Sequence, residues 1–333
     1  MTAGRADSGQ EDEIERALGK KCPLCRSQAG TVRFRLPYEE LWRRLETEVS
    51  TRFSAPVIRR NTPAPVATLR ECAGCGLQYF TPVAPGDTAF YRELMRAVPY
   101  ESDRWEFREV AGFLEGGEAL VDFGCGDGAF LRAVSPHCSR AVGLDRNADV
   151  LSALVANGIE AYSTDFRTFA ERESEAFDAA CAFQLLEHLP EVGELLEPMV
   201  ECTKPGGRIF VAVPNRERYA ADLSAPLDSP PHHVSRWSAD QLKALTGRFN
   251  LRLRAVHHQR PVYSEAVGIF MAPVDYALSL VPGEPGKRAV RGVLRRAIIG
   301  PKRYRLVART SFFPRHRLYG HTVLAEFERT VES

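Results

Sequence analysis

From residue 119 to residue 213, short apolar runs alternate with stretches of helical pattern. Ala119–Phe123, Ala141–Leu144, Glu160–Tyr162, Phe177–Phe183 and Arg208–Val213 read as strands. Ala129–Val134, Ala148–Ala156 and Val192–Cys202 read as the helices between them, the second ending at Asn157-Gly158. Lys204-Pro205-Gly206-Gly207 reads as a turn into the fifth strand. Two more strands are expected, at Leu251–Val256 and across residues 320–327. Strands alternating with helices predict an α/β domain built on a mostly parallel sheet.

The first strand runs into Gly124-Cys125-Gly126-Asp127-Gly128. A glycine-rich turn between strand and helix lets a ligand approach the backbone and meet the free N–H groups of the helix end. The spacing is G-x-G-x-G, not the dinucleotide pattern G-x-G-x-x-G. Two carboxylates, Asp122 and Asp127, flank it, and a pyrophosphate would sit badly beside them. A ligand with an ammonium and a sulfonium suits them, and S-adenosylmethionine (SAM) carries both. Its ribose wants a carboxylate at the end of the next strand, where Asp145 stands 17 positions after Gly128. Gly124, Asp145, Asp165 and Gln184 all fall at or just past strand ends, so the predicted fold gathers them on one rim.

In this order, Val121-Asp122-Phe123-Gly124-Cys125-Gly126-Asp127-Gly128, Gly143-Leu144-Asp145, Thr164-Asp165-Phe166, Leu186-Glu187-His188-Leu189 and Lys204-Pro205-Gly206-Gly207 resemble a class I SAM-dependent methyltransferase. The resemblance implies a Rossmann-like seven-stranded sheet in the order 3-2-1-4-5-7-6, strand seven antiparallel. It implies that Asp122, Gly124, Cys125 and Gly126 hold the methionine end and that Asp145 and Arg146 meet the ribose. Asp165 and Phe166 would hold the adenine, and Gln184 and Leu185 would lie near the sulfonium.

Ahead of this core stand Cys22-Pro23-Leu24-Cys25 and Cys72-Ala73-Gly74-Cys75-Gly76. Cys22, Cys25, Cys72 and Cys75 form the ligand set of a structural, four-thiolate Zn2+ site, with no position left open for water. The 46 intervening residues exceed the span of an ordinary zinc ribbon. Leu41, Trp42, Leu45 and Val49 line one face of a helix there, which Pro56, Pro63 and Pro65 are expected to break. The chain therefore divides into a tail (1–20), a zinc-binding module with a helical insert (21–95) and a methyltransferase domain (96–333). Within the last, residues 259–317 read as a helical, basic insertion or lid before the final strand.

Composition narrows the partners. The chain has 333 residues, 26% charged, and a net charge of +1. No apolar run approaches the roughly 18 residues of a membrane span, and the N-terminus lacks an apolar leader core. A cytoplasmic location is expected, with eight cysteines in a reducing compartment. The near-zero net charge hides a block: residues 287–317 hold eleven Lys or Arg and no acid. Its basic amphipathic pattern suits peripheral contact with an anionic membrane surface, and less well RNA.

The acceptor end is read from what remains. Pro230-Pro231-His232-His233 should hang over the rim, followed by Arg236, Trp237 and a helix capped by Ser238. His232 and His233 are the first candidates for a general base and His188 the second, each worth about 10² to 10⁴-fold on a hydroxyl acceptor. Tyr100, Trp105, Arg236 and Trp237 are the substrate candidates. The expected activity is methyl transfer to a small-molecule, glycan or glycolipid acceptor, first of all at oxygen, as in sugar or natural-product biosynthesis enzymes. An RNA or nucleobase methyltransferase and a non-catalytic SAM-binding scaffold are the alternatives, and a dehydrogenase is the weakest.

Overall fold

The computed structural model describes residues 21–99, 101–218, 225–260 and 319–330. The N-terminal part comprises β1 (Gly30–Pro37), α1 (Tyr38–Glu48), α2 (Ala55–Arg60), β2 (Val66–Cys72), β3 (Gln78–Thr81) and α3 (Thr88–Ala97). The core follows with α4 (Trp105–Phe113), β4 (Ala119–Phe123), α5 (Ala129–Val134), β5 (Arg140–Leu144), α6 (Ala148–Ala156) and β6 (Glu160–Tyr162). It continues with α7 (Phe166–Arg172), β7 (Phe177–Phe183), α8 (Gly193–Cys202), β8 (Thr203–Pro214), β9 (Ser235–Arg236), α9 (Ala239–Lys243), β10 (Leu251–His258) and β11 (Thr322–Arg329).

Seven strands form the main sheet in the order β10-β11-β8-β7-β4-β5-β6, with β11 antiparallel to both neighbours. Numbered within the sheet this is 6-7-5-4-1-2-3, the order that the resemblance implies. The cause lies in the pattern of the central strands. Along β4, Val121 and Phe123 face one side and pack with Ile209, Val211, Leu195 and Met199. Leu120 faces the other and packs with Phe210, Phe130 and Leu154. Strands buried on both faces need helices on both, which the alternating connections supply.

The cysteine-bearing part does not hang free. β1, β2 and β3 form a second, antiparallel sheet whose fourth strand is β9, supplied by the chain after His233. Cys22, Leu24, Leu77 and Tyr79 share one buried cluster with Trp237 and Leu242. α1 buries Tyr38, Leu41, Trp42 and Leu45, the expected face, in a further cluster where Phe53 stacks on Phe90 at 5.5 Å.

Three local expectations change. β1 was not anticipated, because most of its side chains are exposed and only backbone pairing with β2 makes it a strand. Pro56 does not break a helix; it sits in the first turn of α2, where its missing N–H costs nothing. The turn at residues 204–207 is a bulge inside β8, since Phe177 faces Thr203 while Ala179 faces Arg208. The tail, Tyr100 and nearly all of the basic insertion lie outside the described residues. Among the described residues no helix is long and apolar enough to cross a membrane.

Gly128 shows how tightly the first turn is built. Its φ is +74°, and a Cβ there would lie 2.0 Å from Leu154 Cδ2. Gly128→Ala combines a left-handed backbone with overpacking, so it should lower the unfolding free energy by about 2 to 4 kcal/mol. Urea denaturation of the ligand-free protein measures this.

Candidate active site

The turn after β4 is held open by backbone geometry. Gly124, Gly126 and Gly128 all have positive φ, and the amides of Gly124 and Cys125 both donate to the Leu144 carbonyl, at 2.7 and 2.9 Å. This staples the ends of β4 and β5 together. A Cβ on Gly124 would meet Leu185 at 2.8 Å, so the Gly124 backbone and the Leu185 side chain pack directly. Asp145 closes the next strand and accepts from Gly126 N at 3.0 Å and Asn147 N at 2.8 Å. Burial pushes its carboxyl up, and these two N–H groups pull it partly back.

Asp122 is almost fully buried. Burial raises its pKa to about 8, opposed by a contact from the Cys181 thiol at 3.5 Å and reinforced by the charge of Asp145. The ligand-free rim therefore stores two carboxyls that a cation would stabilise in their charged form. Gln184, at φ +52°, donates to the buried carboxylate of Glu106 at 3.0 Å. Arg104 lies 4.0 Å from Glu106, and its charge is felt by both Asp122 and Glu187. Further along the rim, Arg146, Asp165 and Phe166 line a groove of about 670 Å³ that reaches Leu24 and Phe249. Asp165 also caps α7, accepting from Thr168 N at 2.8 Å, and Phe166 packs on Phe123 at 5.2 Å.

Just past β7 the chain makes a short turn, Leu186–His188, and the loop bearing His232 and His233 folds onto it. Val234 N donates to the Glu187 carbonyl at 2.9 Å, and Phe80 N donates to the Val234 carbonyl at 2.9 Å, so β3 helps hold this loop. The three imidazoles cluster: His232 stacks on His233 with centroids 4.4 Å apart, and His188 lies 4.8 Å from each, tilted to His232 and edge-on to His233. Burial lowers all three, His188 to about 3. They are neutral at pH 7. His233 Nδ1 lies 3.6 Å from Asp228 Oδ1, and Asp228 also pairs with Arg218 and, at 3.8 Å, with Arg236. Burial likewise raises Glu187 to about 8.

The four N-terminal cysteines meet as well. Cys22 and Cys75 Sγ are 3.6 Å apart and Cys25 and Cys72 Sγ 3.3 Å, and all four sulfurs lie within 4.8 Å of one another. Sulfurs around a tetrahedral Zn2+ at 2.3 Å would be about 3.8 Å apart, so these residues fit such an ion. Both pairs end in the same knuckle: Arg26 and Gly76 have φ of +61° and +71°, and each donates its N–H to the first cysteine of its pair at 2.9 Å.

The structure thus gathers the acidic glycine rim, the three histidines and the four cysteines, each as its own cluster. It separates other candidates. Trp237 is wholly buried in the first core cluster, its Nε1 donating to Ser235 Oγ at 2.9 Å. Arg236 is buried beside Asp228. Trp105 opens α4 and packs, partly buried, against the second core cluster. Ser238 holds the N-cap position, but its hydroxyl donates to Gln241 Oε1 at 2.6 Å. Arg104, Glu106, Asp228 and Tyr91 were not singled out from sequence. An acid at the start of an otherwise amphipathic helix, such as Glu106, was the available signal.

Residues 92–256, just under half of the chain, match the family model described as a methyltransferase domain. Two curated relatives are named ubiquinone biosynthesis O-methyltransferase. That of Hahella chejuensis is 30% identical over 106 residues, covering 30% of this chain and 44% of that protein. That of Stutzerimonas stutzeri is 28% identical over 109 residues, covering 30% and 46%. The chain thus spans under half the length of either. Among solved structures, it is similar to a SAM-dependent methyltransferase from Archaeoglobus fulgidus, with a TM-score of 0.47 at 15% identity, covering 73% of this chain and 100% of that one.

The buried carboxyls set a pH dependence. Folded Asp122 keeps its proton to about pH 8, whereas an unfolded aspartate loses it near pH 3.9. The folded state then binds more protons across that window, so this contribution to stability is lost as pH rises. The lowered histidines act in the opposite sense, but only below about pH 6.5. Between about pH 6.5 and 8 the urea midpoint of the ligand-free protein should fall with rising pH, and Asp122→Asn should flatten part of that fall.

Proposed function

On the match of residues 92–256 to the methyltransferase-domain family model, we propose that the chain transfers a methyl group from SAM to a hydroxyl oxygen of a small-molecule or glycan acceptor. One observation carries the reading: buried Asp122, the left-handed glycine turn and Asp145 converge at the carboxyl ends of adjacent parallel strands. That is where ligands of such sheets bind. SAM, when bound, supplies a methyl group on a positively charged sulfur.

The chain's own residues do the rest. Asp122 and the glycine turn would hold the methionine end, its ammonium drawing Asp122 into the charged form. Asp145 would accept from the ribose hydroxyls, exchanging its present N–H contacts. Gln184, fixed by Glu106, would border the sulfonium. The acceptor oxygen would be presented at the cluster of Glu187, His188, His232 and His233, where its proton is handled. Alignment and exclusion of water are the main contributions, since the methyl group is already electrophilic. The names of the curated relatives support oxygen as the acceptor atom.

Calorimetry should find binding of S-adenosylhomocysteine, and Asp145→Asn should weaken it by about 10-fold or more, the loss of a charged hydrogen-bond acceptor. A screen of hydroxylated acceptors with methyl-labelled SAM then tests the reaction. Binding with no transfer to any hydroxyl, but transfer to RNA or to an amine, would overturn the acceptor class.

Cys22, Cys25, Cys72 and Cys75 are proposed to hold a structural Zn2+ that braces the acceptor loop. Gln241 Nε2 donates to the Cys75 carbonyl at 3.0 Å, and β3 pairs with β9 just beyond His233. Replacing the ion by Co2+ should give thiolate-to-metal charge-transfer absorption. Cys72→Ser should abolish that band and lower the melting temperature.

A further inference from the structure

The cluster past β7 contains a carboxyl group that has no hydrogen-bond partner among the described residues. Glu187 is 1% exposed, and neither of its carboxylate oxygens has a hydrogen-bond partner in good geometry. Nearest to it are two imidazole nitrogens, His188 Nε2 and His233 Nε2, each 3.9 Å from Oε1. The opposite ring nitrogens are occupied elsewhere. His188 Nδ1 donates to the His232 carbonyl at 2.7 Å, a carbonyl that the Tyr91 hydroxyl also donates to at 3.1 Å. His233 Nδ1 faces Asp228 at 3.6 Å. With the proton on Nδ1 in both rings, neither Nε2 can donate to that oxygen, and at 3.9 Å both lie beyond hydrogen-bond range. A third ring stands beside them, and His232 Nδ1 is buried with no hydrogen-bond partner among the described residues.

We propose that Glu187, His188, His232 and His233 form a metal site distinct from the four cysteines, one that takes a divalent transition ion of the zinc class. The three histidines each offer a ligand nitrogen within 4.8 Å of the others. Nitrogens around a tetrahedral ion would lie about 3.4 Å apart, so the rings draw together by about an ångström when it binds. Three imidazoles and one carboxylate suit zinc, iron or nickel and not magnesium or calcium, which prefer oxygen throughout. The outer contacts have the form that metal-bound histidines use. One ring is oriented by a backbone carbonyl and another by a carboxylate, each leaving the far nitrogen for the ion. The ion would answer the unpartnered carboxylate with charge.

His188 and His232 are only partly buried, so the cluster can be reached from that side. An oxygen donor of the acceptor, a hydroxyl or phenol, is the ligand class for a further coordination position. This deepens the acceptor-end reading above and rests on it for the identity of that donor, while the ion itself does not depend on it.

The test uses the full-length protein, stripped with a chelator and titrated with Co2+ and then Zn2+. A first equivalent with thiolate charge-transfer absorption belongs to the cysteines. A second, with visible absorption typical of nitrogen and oxygen ligands and no thiolate band, is the expected result. Glu187→Gln and His188→Gln should weaken that second equivalent by 10-fold or more while leaving the first unchanged. S-adenosylhomocysteine binding and the melting curve report that each variant is folded. One equivalent only in the wild type, or a second that survives both substitutions, overturns the site. A second equivalent in a protein that methylates no hydroxyl leaves the metal site standing and removes the acceptor reading.

Discussion

Buried carboxylates need cations, and the rim of this sheet holds more of the former than the described chain matches closely. Asp122, Glu106, Glu187 and Asp228 are each almost fully buried, within a short stretch of strand ends and loops. Arg218 and Arg236 attend Asp228, and Arg104 is shared among the other three. A carboxyl in that position either keeps its proton or acquires a positive partner. Both outcomes are chemical statements. At the Asp122 end the partner proposed is the ammonium and sulfonium of SAM. At the Glu187 end it is the metal ion proposed among three imidazoles.

The two ends are placed by one scaffold. Leu144 receives two amides from the glycine turn, so β4 and β5 cannot separate without releasing the turn. Leu185 lies directly over Gly124, which links the turn after β7 to the turn after β4. The histidine loop is then fixed from the other side. β9 completes the sheet of the cysteine-bearing part, and Gln241 reaches back to the carbonyl of Cys75. The N-terminal residues thus help hold the histidine loop through backbone pairing.

Much of this was legible in the residues because it depends on local repetition. Two-sided apolar strands, helical spacing between them and glycines at alternate positions need no knowledge of distant neighbours. The strands and helices, the glycine rim and the face of α1 were read on that basis, while the order of the seven strands was implied by the family resemblance. Where local pattern was weak the reading failed or was silent. β1 exposes most of its side chains, so it has no hydrophobic alternation to reveal it. Pro56 looked like a break because its position in a first turn is set by what precedes it. Trp237 looked like an aromatic available to a substrate, and only the packing of β9 and α9 against the cysteine-bearing part buries it.

The sequence alone determined the alternation of strands and helices, the acidic glycine turn and the two C-x-x-C pairs, since each is encoded within a few consecutive positions. Tertiary structure decided what those positions face. It brought Glu187 and His188 against a loop more than forty residues later, and it left the Glu187 carboxyl without a hydrogen bond among the described residues. It set Glu106 under Gln184, across 78 residues of chain. No periodicity records such a meeting, because burial and charge balance belong to the surroundings of a side chain and not to its place in the chain.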